Sequence, residues 1–415
     1  MKATEFDSPA RMLGGLERQF YQQNLVGSTN IVCALIFENG LDSEQLKHAL
    51  KKLLDHHAPL RSAILADPKL RFSPLSSIEL PYQESLEGDW RTALEKDLHR
   101  QYPGPQIFLH HLKADRSTLL LGFNHAVVDG LSSLIVARQL LDFYNGQSIE
   151  IRPSEEAVED RFPKSYQGVR GWWKAIRFIF KLAKLGPALQ IGLIEPTRST
   201  GSIGFKLRGT RQLNDLARAR GSNFFALLSA VILKSVHEIY AAGGETSLSL
   251  NTPVSLRSSA QIPGDEIGVF LAGHLALYSI SPSTDLWDLA KSCFDTLKHG
   301  VAEGHPMLLT LLARGSRKPK APKIPNKHST HRPTVSMSNL GLIEPLPAAH
   351  GSKVMEVHTV SAQSMKDPFA FVVASYQEET YIDLQFSEQK LSRGAAEILL
   401  STVRQKMLFL SANSH

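Results

Sequence analysis

The sequence predicts a mixed α/β protein built from two halves. The chain has 415 residues, whereas one hydrophobic core stops growing near ~250–300 residues, so two domains or subdomains are expected. Apolar runs typical of strands alternate along the chain with segments whose apolar residues recur at helical spacing. We place the first half at residues 1–150, a linker at 151–203 and the second half at 204–415.

Composition excludes several classes of protein. The net charge of +6 is mild and suits an anionic small ligand as well as nucleic acid. Cys33 and Cys293 are the two cysteines, and both have apolar neighbours, so we expect no disulfide framework and no metal site. The first residues lack the apolar core of a signal peptide, and no window reaches the ~18–20 apolar residues of a membrane span. A soluble, cytoplasmic protein is the expectation.

The first half contains four predicted helices and four predicted strands. Residues 9–24 carry apolar residues at helical spacing, and residues 44–56 form an apolar stripe that Asp42 or Ser43 can cap. Strands are predicted at 29–37 and 61–65, where β-branched and apolar residues concentrate, and a hairpin joins 106–113 to 118–124. Helices are also predicted at 89–102 and at 131–145, the second ending before an Asn-Gly pair.

The end of the hairpin presents the strongest chemical signal. The apolar run at 118–123 predicts a buried strand, and His125 follows it at the strand end. Asp129 lies four positions after His125, directly before a predicted turn at Gly130. A neutral imidazole can accept a proton at pH 7, and a well-placed base contributes about 10²–10⁴-fold. Asp129 would orient the ring or hold the loop, and Gly130 would let the backbone turn tightly.

Two other histidine patterns have local structural explanations. The pair His56-His57 ends a predicted helix, where a cationic or dipolar side chain is favourable. His111 and Asp115 repeat the spacing of His125 and Asp129, but Asp115 lies in the predicted hairpin turn, where Asp is favoured for backbone bonding. We therefore interpret both patterns as structural.

The linker contains a helix with two interpretations. Residues 151–163 are acidic and contain prolines, whereas residues 172–185 form a basic, aromatic, amphipathic helix. We favour a crossover helix that packs on the two halves with its basic edge in solvent. The alternative is a helix at a membrane surface, reached through Trp172-Trp173.

The second half alternates strands and helices as the first does. Strands are predicted at 204–207, 246–254, 275–280 and 334–341, and a hairpin is predicted at 369–375 and 381–386. Helices are predicted at 211–220, 223–240, 285–299 and 391–410, with Ser222 capping the second. Residues 314–332 hold seven cations, no acid and three prolines, so we expect a loop there, either solvated or forming a patch for phosphate groups.

Several catalytic motifs are absent, and the remaining ones resemble a known family. The sequence has no Gly-x-Gly-x-x-Gly, phosphate loop, His-Glu-x-x-His or Gly-x-Ser-x-Gly motif. His125-x-x-x-Asp129-Gly130 after an apolar strand resembles the chloramphenicol acetyltransferase-like superfamily, which includes condensation domains and polyketide-associated or alcohol O-acyltransferases. Four further segments resemble motifs of these proteins in the same order: 53–61, 251–257, 267–270 and 335–341.

The resemblance implies a fold and a reaction. Two chloramphenicol acetyltransferase-like subdomains would form a V around a central tunnel, with His125 as general base for direct attack on a thioester, without an acyl-enzyme. Asp129 would pair with Arg257 and support the site together with Gly130. Ser336 or Ser338 would donate to the oxyanion, and Lys318, Lys320 and Lys323 would bind phosphates of the donor.

The resemblance also implies the substrates. No bound cofactor is expected, because acyl-CoA or a phosphopantetheine-linked acyl donor serves as substrate. The expected partners are a small-molecule acceptor, the thioester donor and, where the donor is carrier-bound, an acyl-carrier protein. We expect a monomer that does not bind nucleic acid.

Departures from the family pattern narrow the interpretation. Condensation domains usually have two histidines in this motif, and the first is replaced here by Asn124, which favours a free-standing acyltransferase that forms esters. The Asp-Phe-Gly-Trp-Gly motif of the plant enzymes is absent. The alternative is a non-catalytic module of the same fold that binds a carrier protein or a membrane surface.

Overall fold

We describe a computed structural model of the chain, covering residues 11–66, 69–114, 116–150, 156–192, 198–315, 334–363 and 368–413. These residues form three sheets flanked by helices, which confirms the predicted mixed α/β class. Among them, no single helix has the length and apolar character to cross a membrane. Only the bent pair Thr210–Ala219 and Phe224–Tyr240, taken together, passes that test.

The described residues of the first half contain seven strands and four helices. The strands are β1 (Arg11–Met12), β2 (Ile31–Phe37), β3 (Ser62–Leu65), β4 (Arg71–Pro74), β5 (Tyr82–Ser85), β6 (Ile107–Lys113) and β7 (Ser117–Phe123). The helices are α1 (Gly15–Val26), α2 (Ser43–His56), α3 (Trp90–Asp97) and α4 (Gly130–Tyr144).

The rest of the described chain contains six further helices and seven strands. The helices are α5 (Gly168–Ala183), α6 (Thr210–Ala219), α7 (Phe224–Tyr240), α8 (Leu286–Ala302), α9 (His305–Gly315) and α10 (Arg393–Ala412). The strands are β8 (Gly201–Leu207), β9 (Thr246–Ser255), β10 (Leu271–Ile280), β11 (Val335–Ile343), β12 (Val354–Ser361), β13 (Phe369–Tyr376) and β14 (Glu379–Phe386). Two short 3-10 helices, Val158–Arg161 and Lys164–Tyr166, precede α5.

The sheets tie the two halves together. One sheet has the order β12-β2-β7-β6-β5, another β10-β9-β11-β13-β14-β8, and a third β1-β4-β3. Strand β12 comes late in the chain, yet it pairs antiparallel with β2, from Val354 opposite Phe37 to Ser361 opposite Ile31. The second half therefore contributes a strand to the sheet of the first.

Strands β9 and β11 pair over a short stretch only. Their parallel ladder joins Val335 to Leu250 and Ser336 to Asn251, although both strands continue well beyond these pairs. Past Ser336 the strands have no mutual pairs, and residues from both face a cavity that is described below. This gap in the ladder makes room for a binding site within the second sheet.

Helix α2 shows how the sequence forms the core. Its N-cap Asp42 accepts a hydrogen bond from the Gln45 backbone N–H at 2.8 Å. The predicted apolar stripe is completely buried: Leu46, Ala49, Leu50, Leu53 and Leu54. Full burial of one such leucine stabilises the fold by roughly 1.5–3 kcal/mol.

Several elements depart from the sequence predictions. Helix α9 and strand β12 were not predicted, because Pro306 interrupts the first pattern and two buried polar residues, His358 and Thr359, interrupt the second. Part of the acidic segment 151–163 is not a loose linker. Glu159 is buried there, and its carboxylate accepts a hydrogen bond from the Gly15 backbone N–H at 2.5 Å.

Candidate active site

The loop between β7 and α4 presents His125 at the end of a buried strand. Asn124 fixes the start of this loop, since its Oδ1 accepts from the Ala126 N–H at 3.0 Å and its Nδ2 donates to Gln106 Oε1 at 2.8 Å. The Asn124 N–H also donates to the Gln106 carbonyl at 3.1 Å. The backbone that carries His125 is thus attached to the strand next to β7.

The imidazole of His125 is held in one tautomer. Its Nδ1 lies 3.0 Å from the Val128 carbonyl oxygen, which can only accept, so Nδ1 carries the proton and Nε2 keeps a lone pair. One face of the ring stacks on Phe20 of α1, with centroids 3.9 Å apart and planes 17° apart. The ring is therefore oriented on two sides, and Nε2 is the atom available for proton transfer.

Burial keeps this imidazole neutral. It lowers the pKa of His125 to about 4, although the Asp129 charge and the Val128 carbonyl favour the protonated ring. Removal of water disfavours the charged form, and here that effect outweighs the nearby carboxylate. At neutral pH the ring is an unprotonated base.

His125 lines a cavity of about 490 Å³ between the two halves. Pockets for small molecules and cofactors commonly measure about 300–1,000 Å³. The walls come from α1, α5 and α9 and from strands of both large sheets. The lining includes Phe20, Gly130, Leu182, Asn251, Pro253, Leu271, Leu309, Ser336, Ser338, Leu340 and Thr359. The cavity is therefore of the size of a small-molecule binding site.

Asp129 is the N-cap of α4 and also a link to the second half. Its Oδ1 accepts from the Ser132 N–H at 2.7 Å and its Oδ2 from the Phe270 N–H at 2.9 Å. The Asp129 N–H donates to the Gly268 carbonyl at 3.0 Å. We call this set of contacts between Asp129–Ser132 and Gly268–Phe270 the clasp.

The expected direct pairing of Asp129 with Arg257 is wrong. The Arg257 guanidinium donates to Ser132 Oγ at 2.9 Å and to the Pro263 and Glu266 carbonyls at 3.1 and 2.9 Å. The two oxygens of Asp129 accept from backbone N–H groups, whereas Arg257 is linked to Asp129 through Ser132 and through the attraction between their charges. Arg257 nevertheless supports the clasp, as it also holds the loop that ends at Gly268.

Gly130 is needed for a reason other than the predicted tight turn. Its φ does not lie in the left-handed region that favours glycine. Instead, a Cβ at this position would lie 2.9 Å from Cδ2 of Leu340 on β11. Such a distance is too short for two carbon atoms, so the glycine permits close approach of α4 and β11 beside the cavity.

The two serines of β11 both line the cavity. Ser336 is buried, and its Oγ accepts from Asn251 Nδ2 at 3.1 Å at the last pair of the β9–β11 ladder, where the gap begins. Ser338 lies two positions further along the strand, on the same face of the sheet. The structure thus brings both serines to the cavity of His125, and their donation to an oxyanion stays a prediction.

The lysines assigned to donor phosphates, Lys318, Lys320 and Lys323, lie outside the described residues. Of the basic segment 314–332, the structure describes only its first two residues, at the end of α9. Arg314 forms an ion pair with Asp160 at 2.9 Å, so this cation has a structural partner. Phosphate binding by the three lysines remains a prediction.

The two discounted histidine patterns lie away from the cavity. His57 is buried, and its Nε2 lies 2.7 Å from Gln139 Oε1 on α4. Its imidazole therefore joins α2 to α4, in keeping with the structural interpretation. His111 contacts Ser117 Oγ at 3.0 Å within the first sheet, while Asp115 lies outside the described residues.

Three residues of the site escaped the sequence analysis. Phe20 appeared only as part of an apolar stripe, and no local pattern indicates that it stacks on an imidazole. Ser132 and Gly268 form the centre of the clasp, since Ser132 Oγ donates to the Gly268 carbonyl at 2.8 Å. An Asp directly before a helical pattern is a cap signal, and this signal points to the actual role of Asp129.

The described residues contain no group of three or more His, Cys, Asp or Glu side chains able to hold a metal ion. Cys33 and Cys293 are both buried and unpaired. Burial raises the pKa of each thiol to about 12, so neither is a thiolate at neutral pH. The chemistry that the described side chains of this site offer is that of a neutral imidazole base.

Comparison with known proteins identifies related sequences and folds. Residues 195–404, just over half of the chain, match the family described as phthiocerol/phthiodiolone dimycocerosyl transferase C-terminus. Gramicidin S synthase 2 from Brevibacillus brevis is 23% identical over 262 residues, which is 58% of this chain but only 6% of that protein. The chain therefore spans a small part of this relative.

Two solved structures show the same fold at low sequence identity. Polyketide synthase associated protein 5 from Mycobacterium tuberculosis is 16% identical with a TM-score of 0.70, covering 98% of this chain and 99% of that one. The first condensation domain of the calcium-dependent antibiotic synthetase, in complex with a substrate analogue, is 14% identical with a TM-score of 0.75, covering 98% and 97%. The predicted superfamily is confirmed.

Proposed function

Because the chain belongs to the phthiocerol/phthiodiolone dimycocerosyl transferase C-terminus family, within the chloramphenicol acetyltransferase-like and condensation-domain superfamily, we propose that it is an acyltransferase. It moves an acyl group from a thioester donor to the hydroxyl of an acceptor, with an amine as the alternative acceptor. The observation that carries the proposal is the neutral imidazole of His125, fixed in one tautomer on a cavity of about 490 Å³.

The proposed reaction uses His125 as base and then as acid. Nε2 accepts the proton of the acceptor hydroxyl while the oxygen attacks the thioester carbonyl carbon, forming a C–O bond and a tetrahedral oxyanion. The intermediate collapses, the C–S bond breaks, and the thiolate takes the proton back from the imidazolium. An imidazole whose pKa is about 4 is a weak base but a strong acid when protonated, so proton removal occurs together with attack.

The oxyanion requires donors close to the carbonyl carbon. We propose Ser336 or Ser338 for this role, because both serines lie on the same face of β11 and line the cavity with His125. A preorganised donor typically contributes about 10²–10³-fold to kcat. The donor is acyl-CoA or an acyl-carrier protein, and the cations Lys318, Lys320 and Lys323 bind its phosphates in this proposal.

The choice of ester over amide rests on the family rather than on a contact of Asn124. The Asn124 side chain forms hydrogen bonds with Gln106 and the Ala126 N–H, so this residue affects the conformation of the loop. A hydroxyl acceptor is consistent with the family description, which names a transferase acting on phthiocerol or phthiodiolone. We place the reaction in lipid, polyketide or other secondary-metabolite biosynthesis, with the chain acting as a monomer that does not bind nucleic acid.

The decisive experiment compares wild type, His125→Ala and His56→Ala in an assay of free thiol release from acyl-CoA and carrier-bound donors. His56 is an exposed histidine at the end of α2, outside the cavity, and serves as the matched control. We expect His125→Ala to lose at least about 10²-fold in kcat, with His56→Ala unchanged. A folded His125→Ala protein that releases thiol at the wild-type rate would show that general base catalysis by His125 is wrong.

The same assay distinguishes the proposed acyl transfer from the alternative, non-catalytic function. A non-catalytic module would bind a carrier protein or a membrane without acceptor-dependent thiol release in any variant. Direct attack further predicts that the intact protein gains no mass when incubated with the donor alone. A stable acyl adduct would contradict direct attack.

A further inference from the structure

Helix α5 has three distinct faces, which follow one another around its axis. At 100° per residue, one face consists of buried residues: Gly171, Ala175 and Phe178. A second face carries the cations: Arg170, Lys174, Arg177, Lys181 and Lys184. The third is apolar and exposed: Val169, Trp172, Trp173, Ile176, Ile179 and Phe180. Two apolar faces on one helix require two different partners.

The first apolar face packs on the protein. Gly171 allows close approach, because a Cβ there would overlap the Tyr166 carbonyl. Phe178 packs on the ring of His305 of α9, with centroids 4.6 Å apart. Leu182 lies on the same side and lines the cavity that contains His125. This face packs on α9 and Tyr166, as a packed helix with a basic edge would, while its packing on both halves stays a prediction and the outer face is unexplained.

The outer apolar face is largely uncovered by the residues that the structure describes. Val169, Trp173 and Phe180 are 73%, 62% and 65% exposed, whereas the apolar stripe of a surface helix normally faces the core. The face is continuous along the helix, since its members recur every three or four residues. Contiguous exposed apolar patches of this kind mark a binding surface.

The neighbouring charges identify the partner as anionic. The segment 168–184 contains five cations and no acidic residue. Lys181 pairs with Glu303 at 3.0 Å, but Arg170, Arg177 and Lys184 have no acidic partner among the residues that the structure describes. Two tryptophans bordered by lysine and arginine fit the headgroup region of a bilayer, where aromatic rings and cations concentrate.

We propose that α5 docks the protein onto an anionic lipid bilayer, with its outer apolar face inserted below the headgroups and its basic face against lipid phosphates. A bilayer fits better than a protein partner, because the apolar face spans the whole helix and the unpaired cations flank one side only. This arrangement is the geometry of an amphipathic helix lying in the interface.

The test is flotation of the full chain with vesicles of phosphatidylcholine alone or with about 30% phosphatidylglycerol. Trp173→Glu/Phe180→Glu changes two exposed side chains of the outer face, and Phe409→Glu is the matched control, an exposed aromatic residue at 69% on α10. We expect wild type and Phe409→Glu to float with anionic vesicles and the double variant to bind at least about tenfold more weakly. Raising the salt to 0.5 M should weaken wild-type binding.

Each other outcome overturns the proposal. Equal flotation of all variants, or none of wild type, excludes α5 as a membrane anchor. If no protein floats but Trp173→Glu/Phe180→Glu slows thiol release from carrier-bound donors only, the surface binds a carrier protein instead. His125→Ala should float like wild type, so loss of catalysis and loss of docking are measured separately.

Discussion

The clasp makes Asp129 a structural residue, and Asp129→Asn tests this role directly. Asparagine can keep Oδ1 as the cap acceptor for the Ser132 N–H, since Asn and Asp are equivalent at N-caps. The amide that replaces Oδ2 would then face the Phe270 N–H, now 2.9 Å from that oxygen, donor against donor. The substitution removes one contact and one charge while preserving shape.

The size of the loss follows from these contacts. A buried hydrogen bond to a charged group contributes about 1.5–3 kcal/mol, and the carboxylate at a helix N-terminus adds about 0.3–1 kcal/mol. We therefore expect Asp129→Asn to lower the free energy of unfolding by about 2–4 kcal/mol. Asp42→Asn is the matched control, because Asp42 caps α2 through the Gln45 N–H alone and is exposed. It should cost under about 0.5 kcal/mol.

Urea denaturation and thiol release together decide the matter. Because His125 is oriented by Val128 and Phe20, Asp129→Asn should retain kcat within about tenfold of wild type, far less than the loss expected for the base itself. Equal urea midpoints for Asp129→Asn, Asp42→Asn and wild type would refute the stabilising role of the clasp. Loss of activity without loss of stability would make Asp129 a direct partner of the imidazole.

Three further predictions follow from individual contacts. The value of kcat/KM should decline only as the pH falls toward about 4, where the buried imidazole of His125 becomes protonated. A decline centred near pH 6.5 would mean that the ring is solvated. Gly130→Ala should cost under about 1 kcal/mol of stability, because the crowded atom, Cδ2 of Leu340, ends a flexible and half-buried side chain that can turn aside; a loss above about 2 kcal/mol would mean that Leu340 is held in place. Burial opposes protonation of His358, but Asp383 at 2.7 Å holds the pKa of this histidine above its usual value. Wild type should therefore be more stable to urea than His358→Gln below about pH 6.5, and this advantage should disappear as the pH rises through the raised pKa. A stability difference that stays constant from pH 6 to 9 would contradict a charged His358–Asp383 pair.

Local patterns predicted the elements that position the site. The apolar run before His125 and the stripe after Gly130 predicted the strand and helix on either side of the loop, and the structure gives β7 and α4 there. These predictions succeed because a buried strand and an amphipathic helix each depend on neighbours close in sequence. The cavity itself required the pairing of distant strands, which sequence periodicity does not specify.

Other failures concern contacts between distant segments. The pairing of β12 with β2 joins residues more than three hundred positions apart, and nothing in its own sequence indicates which sheet it enters. Arg257 was assigned to Asp129 from the family resemblance, whereas its guanidinium contacts Ser132 of α4 and the carbonyls of Pro263 and Glu266 instead. The helix in the linker was predicted, but the sequence did not show which of its apolar residues pack against the protein.

The position of His125 depends on the relative placement of the two halves. Its loop is attached to the first half through Asn124 and Gln106, and to the second through Asp129 and Phe270. The cavity wall opposite the imidazole comes from β9 and β11, so a small shift of the second half changes both the loop and the space in front of Nε2. A clasp of backbone N–H groups on one carboxylate tolerates little displacement, because each hydrogen bond requires near-linear geometry. The carboxylate of Asp129 thereby joins the loop that carries His125 to the second half of the chain.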